Sequence, residues 1–292
     1  MNMSVPGKTE DLALWIEGEI KRFIESTEND LNMGTGEPAW AEPLVGFSSG
    51  ADPLYLFYKE DVGDFYVTPV EFFAHHFPDL EVAPEQLAVI SWVLPQTEST
   101  KADHRRETHF PSERWARSRI FGEMVNDKLR RHVVDVLTRA GIEAVAPVLS
   151  PIWERKTSKR YGYASSWSER HAAYAAGLGT FGLSDGLITP RGKAMRVGSA
   201  IARMRVSPSN RPYKDHQAYC LFYARGTCGR CIERCPIGAI TEEGHDKYLC
   251  SRYVRMTRQY VARHFGFEGY GCGLCQTAVP CESGIPDGIG GP

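Results

Sequence analysis

Cys220-Leu-Phe-Tyr-Ala-Arg-Gly226-Thr-Cys228-Gly-Arg-Cys231-Ile-Glu-Arg-Cys235-Pro236 is the stretch that decides how the chain is read. Cys250, Cys272-Gly-Leu-Cys275 and Cys281 follow it, and with them all eight cysteines fall in the last third of the 292 residues. Soft thiolates spaced C-x2-C-x3-C-P are a ligand pattern of cubane iron–sulfur clusters, and eight ligands serve two [4Fe–4S] clusters with none left over.

The spacing also divides the ligands. In bacterial two-cluster ferredoxins the Cys before Pro ligates the other cluster. On that rule Cys220, Cys228, Cys231 and Cys281 hold one cluster, and Cys235, Cys250, Cys272 and Cys275 hold the second. The usual first cysteine, three before Cys228, is replaced by Arg225, so Cys220 must loop back, with Gly226 easing the turn. Two blander readings stay open. Cys228-x2-Cys231 with Cys272-x2-Cys275 could bind zinc as a ribbon, but four cysteines would then be stranded. Four disulfides match the count, but a chain this long can bury a core without staples.

Outward from this stretch, the length suggests about two domains. We place an α/β (α+β) domain at 1–206 and a two-cluster ferredoxin-like module at 207–292. The net charge of −2 leaves no overall basic footprint, so a nucleic-acid partner is not expected. Residues 1–7 lack the charged and apolar regions of a leader, and no apolar run reaches spanning length, so neither membrane insertion nor export is expected. The expected location is the cytoplasm, where thiols stay reduced.

Leu12, Trp15, Ile16, Ile20, Phe23 and Ile24 recur at helical spacing. Thr68-Pro69-Val70-Glu71 has the cap, proline and box of a helix start, with His75 and His76 inside that helix on different faces. Leu87–Pro95 reads as a buried strand, Ser112–Ala140 as one long helix, and Ala144–Leu149 as the next strand, implying an α/β layer with crossover connections. Two basic stretches are ambiguous between solvated surface and anion recognition. One runs from Lys101 to Arg119. The other holds Arg191, Lys193, Arg196, Arg203, Arg205, Arg211 and Lys214, where Arg196 is a candidate for holding cofactor anions.

Gly177-x-Gly179-x-x-Gly182 matches a dinucleotide pattern, but a helix-prone segment precedes it and no carboxylate follows at ribose distance. The glycines read instead as turns, or as a place where backbone approaches a large flat ligand. Here a resemblance enters. Trp167-Ser-Glu169-Arg170, Ala176-Gly177-Leu-Gly179-x-Phe-Gly182 and Leu187-Ile188, upstream of the cysteines, resemble epoxyqueuosine reductase, whose core is shared with reductive dehalogenases. Tyr270-Gly-Cys-Gly-Leu-Cys-Gln276 and Val279-Pro-Cys-Glu282 also resemble a set of bacterial double-cluster ferredoxins. The resemblance implies cobalamin between the α/β domain and the clusters, electrons from an external donor such as ferredoxin or flavodoxin, and a small-molecule substrate. It also implies a catalytic acid upstream of Gly177, an Asp in the family. Counting back without a gap puts Tyr163 there instead, and since reductive dehalogenases use a Tyr as proton donor, Tyr163 is the candidate. The family's tRNA-binding helical extension is not seen after Cys281, which leaves a tRNA-modifying role to analogy. The alternative is a non-catalytic electron-transfer protein or partner subunit without cobalamin.

Overall fold

The computed structural model describes residues 9–289; the leader reading at residues 1–7 and the last three residues of the tail fall outside that range. Helix α1 (Thr9–Glu25) leads to strand β1 (Leu44–Ser49), then to helices α2 (Leu54–Asp61) and α3 (Pro69–His76). Thr68 caps α3 with the full capping box, so its boundary was written in the sequence. Strand β2 (Ala88–Pro95) follows, then α4 (Glu98–Arg105), α5 (Glu113–Arg117) and α6 (Glu123–Arg139). Beyond these come β3 (Ala144–Val145) and a hairpin of β4 (Arg155–Ser158) and β5 (Gly162–Ser165). Helix α7 (Glu169–Ala175), the pair β6 (Thr180–Phe181) and β7 (Leu187–Ile188), and β8 (Met195–Ala202) complete this part.

All eight residues of β2 are buried, and a strand apolar on both sides must be covered on both. It sits inside a sheet of order β1-β2-β8-β3 in which every neighbouring pair is antiparallel. The fold is therefore mixed helix and strand, as expected. The expected crossover layer is replaced by long connections that return antiparallel. Ile16 and Ile20 of α1 and Leu129 and Val133 of α6 pack with Ile90 and Trp92 on one face. Tyr55, Phe72, Trp167 and Ala173 pack with Val89 and Val93 on the other.

The long helix expected from Ser112 is broken by a π-helical turn, Ser118–Gly122, between α5 and α6. The Trp40 indole donates to the Gly122 carbonyl at 2.9 Å, and a Cβ on Gly122 would stand 2.7 Å from that ring. The indole thus claims the space that an uninterrupted helix with a larger residue would fill. The strand expected at Ala144–Leu149 is only two residues long before a 3-10 turn at Pro147–Leu149.

The cysteine-rich segment carries α8 (Leu221–Arg225), α9 (Arg230–Glu233), the ribbon β9 (Ile240–Thr241) and β10 (Gly244–His245), and α10 (Lys247–Phe265). The Asp246 carboxylate caps α10 by accepting from the Tyr248 and Leu249 amides, and Gly266 ends it at φ +72°. One apolar cluster runs from Trp167 and Tyr174 through Tyr213 and Tyr219 to Cys220, Cys231, Ile240 and Val279. No helix among the described residues is long and apolar enough to cross a membrane.

Candidate functional site

The eight thiols are free. Cys220 caps α8, Gly226 turns the chain at φ +64°, and Cys228 and Cys231 follow at the start of α9. With Cys281 these three wall a small cavity of about 20 Å³. Cys235 follows α9, Cys250 sits in the first turn of α10, Cys272 precedes the 3-10 turn at Leu274–Gln276 and Cys275 lies within it. Burial, reinforced by neighbouring thiols of the same group, pushes Cys250 and Cys272 up to about 12. Cys231 is pushed up to about 11 by burial. Thiols held like this stay protonated unless a cation draws off the proton, which is what iron does to a coordinating thiol. Among the described residues no three His, Cys, Asp or Glu side chains close on one point as a single zinc ion requires.

Lys193 lies among them, 3% exposed. Its Nζ donates to Ser184 Oγ at 3.1 Å, and no carboxylate among the described residues pairs with it. Burial alone would lower its pKa, but negative charge on the sulfurs of Cys281, Cys275, Cys231 and Cys220 outweighs burial and raises it. An unpaired buried ammonium is costly, so this site fits an anionic group held by the surrounding sulfurs.

The loop carrying Cys272, Cys275 and Cys281 is braced from outside. Arg234 donates to the carbonyls of Leu274 and Thr277, each at 3.2 Å, and of Glu107 at 2.8 Å. Glu282 accepts from Arg105 Nε at 2.8 Å and from the Ala278 amide at 2.6 Å. Arg114 pairs with Glu37 and Asp103, and Arg117 with Glu113. The anion-recognising rim considered for Lys101–Arg119 is therefore a set of internal ties, made by Glu37 and Glu282 from far along the chain and by Glu98, Asp103 and Glu113 from nearby. The second basic stretch is similarly dispersed: Arg191 pairs with Glu42, Arg203 with Glu143 and Arg211 with Asp52.

Beside the thiols opens a cavity of about 850 Å³. Helix α2 contributes Tyr58 and Asp61, the β4–β5 hairpin Tyr161 and Tyr163, and α7 Arg170, His171 and Tyr174. Phe181, Gly182 and Asp185 form another wall, and Lys247 and Ser251 of α10 close it. Its size reaches the upper range of cofactor and ligand sites, roughly 300–1,000 Å³, and its walls alternate aromatic rings with polar heads. Those walls fit a large flat group such as a corrinoid.

The motif Trp167-Ser-Glu169-Arg170-His171 splits across the first turn of α7. The Trp167 indole donates to Ser199 Oγ at 3.0 Å, and Glu169 accepts from Ser199 and from Arg130 Nε at 3.2 Å, anchoring the helix under the sheet. Arg170 and His171 face the cavity instead. Burial drives His171 down to about 4, with Lys247 adding to the effect, so this imidazole is neutral at neutral pH. Tyr161 donates to Asp61 at 2.7 Å and is pushed up to about 12, first by burial and then by that bond. Asp185 stands at φ +56°, a left-handed conformation that Asp adopts more readily than most non-glycine residues. Burial would raise its pKa, but its bond to His245 at 3.1 Å, with Lys247 and Arg170 nearby, holds it lower.

Of the residues singled out in the sequence, Tyr163 is on the cavity wall, 42% exposed, its ring centre 4.4 Å from that of Tyr248. Gly182 is also on the wall. Gly177 and Gly179 are not. A Cβ on Gly177 would stand 2.2 Å from the Asn210 carbonyl, and one on Gly179 2.2 Å from that of Ile188. Both glycines admit the protein's own backbone rather than a ligand, which corrects their reading as cofactor-binding residues. Arg196 also lies off the cavity wall, with its Nε 3.6 Å from Glu123 and with Arg119 and Arg170 near. His171, Tyr161 and Asp185 were missed, the first two because lone His and Tyr residues carry no pattern.

No family model matches the chain. An epoxyqueuosine reductase of Bacillus anthracis is 30% identical over 124 residues, 40% of this chain and 30% of the relative. A solved epoxyqueuosine reductase with a tRNA-Tyr epoxyqueuosine-modified stem loop covers 95% of this chain and 68% of its own, at TM-score 0.50 and 17% identity. A reductive dehalogenase structure, described as suggesting a mechanism for B12-dependent dehalogenation, covers 96% and 38% at TM-score 0.50 and 13% identity.

The fold is thus the one seen in solved epoxyqueuosine reductase and reductive dehalogenase structures. In sequence the chain is similar to epoxyqueuosine reductase over a match that spans less than a third of the curated relative's length. The expectation of a small-molecule substrate with no nucleic-acid partner is overturned: a protein of this fold has been solved with a tRNA stem loop. Net charge averages the whole surface and does not register a local patch. The cavity wall carries Arg155, Lys156, Arg160, Arg170, Lys214, Lys247 and Arg255 against Asp61 and Asp185.

Proposed function

We propose that this chain is an iron–sulfur reductase working in a reducing compartment such as the cytoplasm. Residues 207–292 hold two [4Fe–4S] clusters, one on Cys220, Cys228, Cys231 and Cys281, the other on Cys235, Cys250, Cys272 and Cys275. Residues 1–206 shape most of the adjoining cavity for a corrinoid. Bound there, the clusters supply one-electron transfer from an outside donor and the corrinoid supplies the reduction of substrate. The observation that carries this reading is Lys193, a carboxylate-free ammonium buried among thiols of both groups.

The chain's own residues do the rest. The cations of the cavity wall receive a phosphate-bearing substrate, of which an RNA stem loop is the instance a structural neighbour provides. Tyr163 holds the proton to be delivered, from an open position on that wall. His171 stays neutral on the cavity wall. A plain electron carrier has no use for a cavity of about 850 Å³, so the non-catalytic alternative is the weaker one.

Anaerobic reconstitution with iron and sulfide, followed by addition of cobalamin, tests the proposal. About eight irons per chain and a shift of the cobalamin spectrum to its base-off form are expected. Zinc in place of iron, or a cobalamin spectrum untouched by the protein, would overturn the corresponding half.

A further inference from the structure

The molecule builds a passage for one lysine. Gly192, at φ +86°, packs so tightly on the Cys281 loop that a Cβ there would lie 2.0 Å from the Glu282 carbonyl. The Lys193 amide donates to the Cys281 carbonyl at 2.8 Å, and the Ala194 amide to that of Glu282 at 3.2 Å. The aliphatic stem then passes Gly186, where a Cβ would stand 2.7 Å from Lys193 Cδ. At the end of this passage the ammonium joins Cys220, Cys228, Cys231 and Cys281 in lining the small cavity. The ammonium donates to Ser184 Oγ at 3.1 Å, and the other polar groups lining the small cavity are the four thiols.

We infer that Lys193 sets the order in which the two cysteine groups accept an electron. It favours the group Cys220, Cys228, Cys231 and Cys281 over the group Cys235, Cys250, Cys272 and Cys275. This rests on the reading of those cysteines as ligands of two clusters. A cluster gains one negative charge when it takes an electron from the outside donor, and nothing else changes in the balance. A fixed positive charge in a low-dielectric interior stabilises the reduced form more than the oxidised one, which raises the reduction potential. All four cysteines of the first group line the small cavity with Lys193 and none of the second does, although Cys275 also acts on the ammonium from outside it. The effect is therefore unequal, and the inequality gives the relay a direction: the first electron rests beside Lys193. A fold that needed only packing here would be better served by an apolar side chain of the same length, because burying an ammonium costs several kcal/mol.

The test is a redox titration of the anaerobically purified full chain, followed by EPR and paired with an iron count. Lys193→Met should keep about eight irons and lower the more positive midpoint by at least tenfold in the reduction equilibrium, about 59 mV, with a smaller shift in the other. Lys193→Arg should restore most of the difference. In Cys281→Ser the signal that Lys193→Met displaces should be the one lost. Unchanged midpoints, or equal shifts in both, with iron retained, overturn the inference. If Lys193→Met fails to hold iron, Lys193→Gln is titrated under the same criterion. An unsubstituted chain without two cubanes shows in the iron count before any variant is made, and that failure belongs to the parent reading.

Discussion

Two regions of this protein are dense in arginine and lysine, and they use them in opposite ways. Between Glu98 and Glu123 nearly every cation is matched: Arg105 by Glu98 and Glu282, Arg114 by Glu37 and Asp103, Arg117 by Glu113. Along the cavity the matching is incomplete. Arg155, Lys214 and Arg255 have no carboxylate partner among the described residues, and Arg170 meets the field of Asp185 only at a distance. Counting charges in the sequence cannot separate these cases, since Glu37 and Glu282 reach the first region from far along the chain. The first region spends its charge on holding a loop, and the second keeps its charge available for a ligand.

The largest test of that contrast removes a tie from the first region. Glu282 is 5% exposed and serves both Arg105 and the Ala278 amide, one residue before the Val279-Pro280-Cys281 turn. Glu282→Ala should cost about 3 kcal/mol of stability, the low end of what breaking a buried pair costs, because Arg105 keeps partial access to water. Iron should be lost with it, from the Cys281 group before the other. Arg106→Gln, which removes only an exposed pair with Asp103, should cost under about 0.5 kcal/mol. Denaturant midpoints and iron counts on the two variants check this, and equal small effects would show that the first region is solvated surface after all.

A smaller effect probes the floor of the second region. Burial holds the folded-state pKa of His171 at about 4, below its ordinary 6.5. As pH falls the unfolded chain takes up this proton first, so stability present above pH 6.5 drains away toward pH 4. The full shift would be worth about 3 kcal/mol, and about 2 remains once partial access through the cavity is discounted. His171→Asn should flatten that part of the pH–stability curve while leaving neutral-pH iron content alone. Parallel curves for the two proteins would place the acid sensitivity elsewhere.

How much of this was legible beforehand depends on where each signal lives. Local signals were read well: the Thr68 box and the largely apolar run of β2 depend on neighbours in sequence. Strand β8 was not recognised, although it lies at the middle of the sheet. Met-Arg-Val-Gly-Ser-Ala-Ile-Ala has little β-branched content, and its small residues make sense only against Trp92, whose indole fills the place of a Cβ on Gly198 at 2.4 Å. The cysteine spacing announced cluster ligands, yet Lys193 read as one more surface cation because its partners are non-local. Gly177 and Gly179 carried a true signal of close approach, but the thing approaching was the chain itself.

The smallest expected effect bears most directly on the second region's purpose. If the unmatched cations receive phosphates, each contributes to binding through released counterions, and binding must weaken as salt rises. Arg155 and Lys156 share one edge of the cavity, on the hairpin strand β4, away from the cysteines. Replacing both with Gln should weaken an RNA stem loop about tenfold, roughly 1.4 kcal/mol, and reduce the salt slope by about two or less. Lys156 already leans on Glu154, so Arg155 should account for most of the change. Replacing Arg117 and Arg106 with Gln removes equal charge from the first region and should leave binding where it was. Filter binding at several salt concentrations separates the outcomes. If both pairs weaken RNA equally, the protein attracts it by its general field rather than through the cavity wall. If neither pair does, the phosphate-bearing substrate is lost and the cations there serve the cofactor alone.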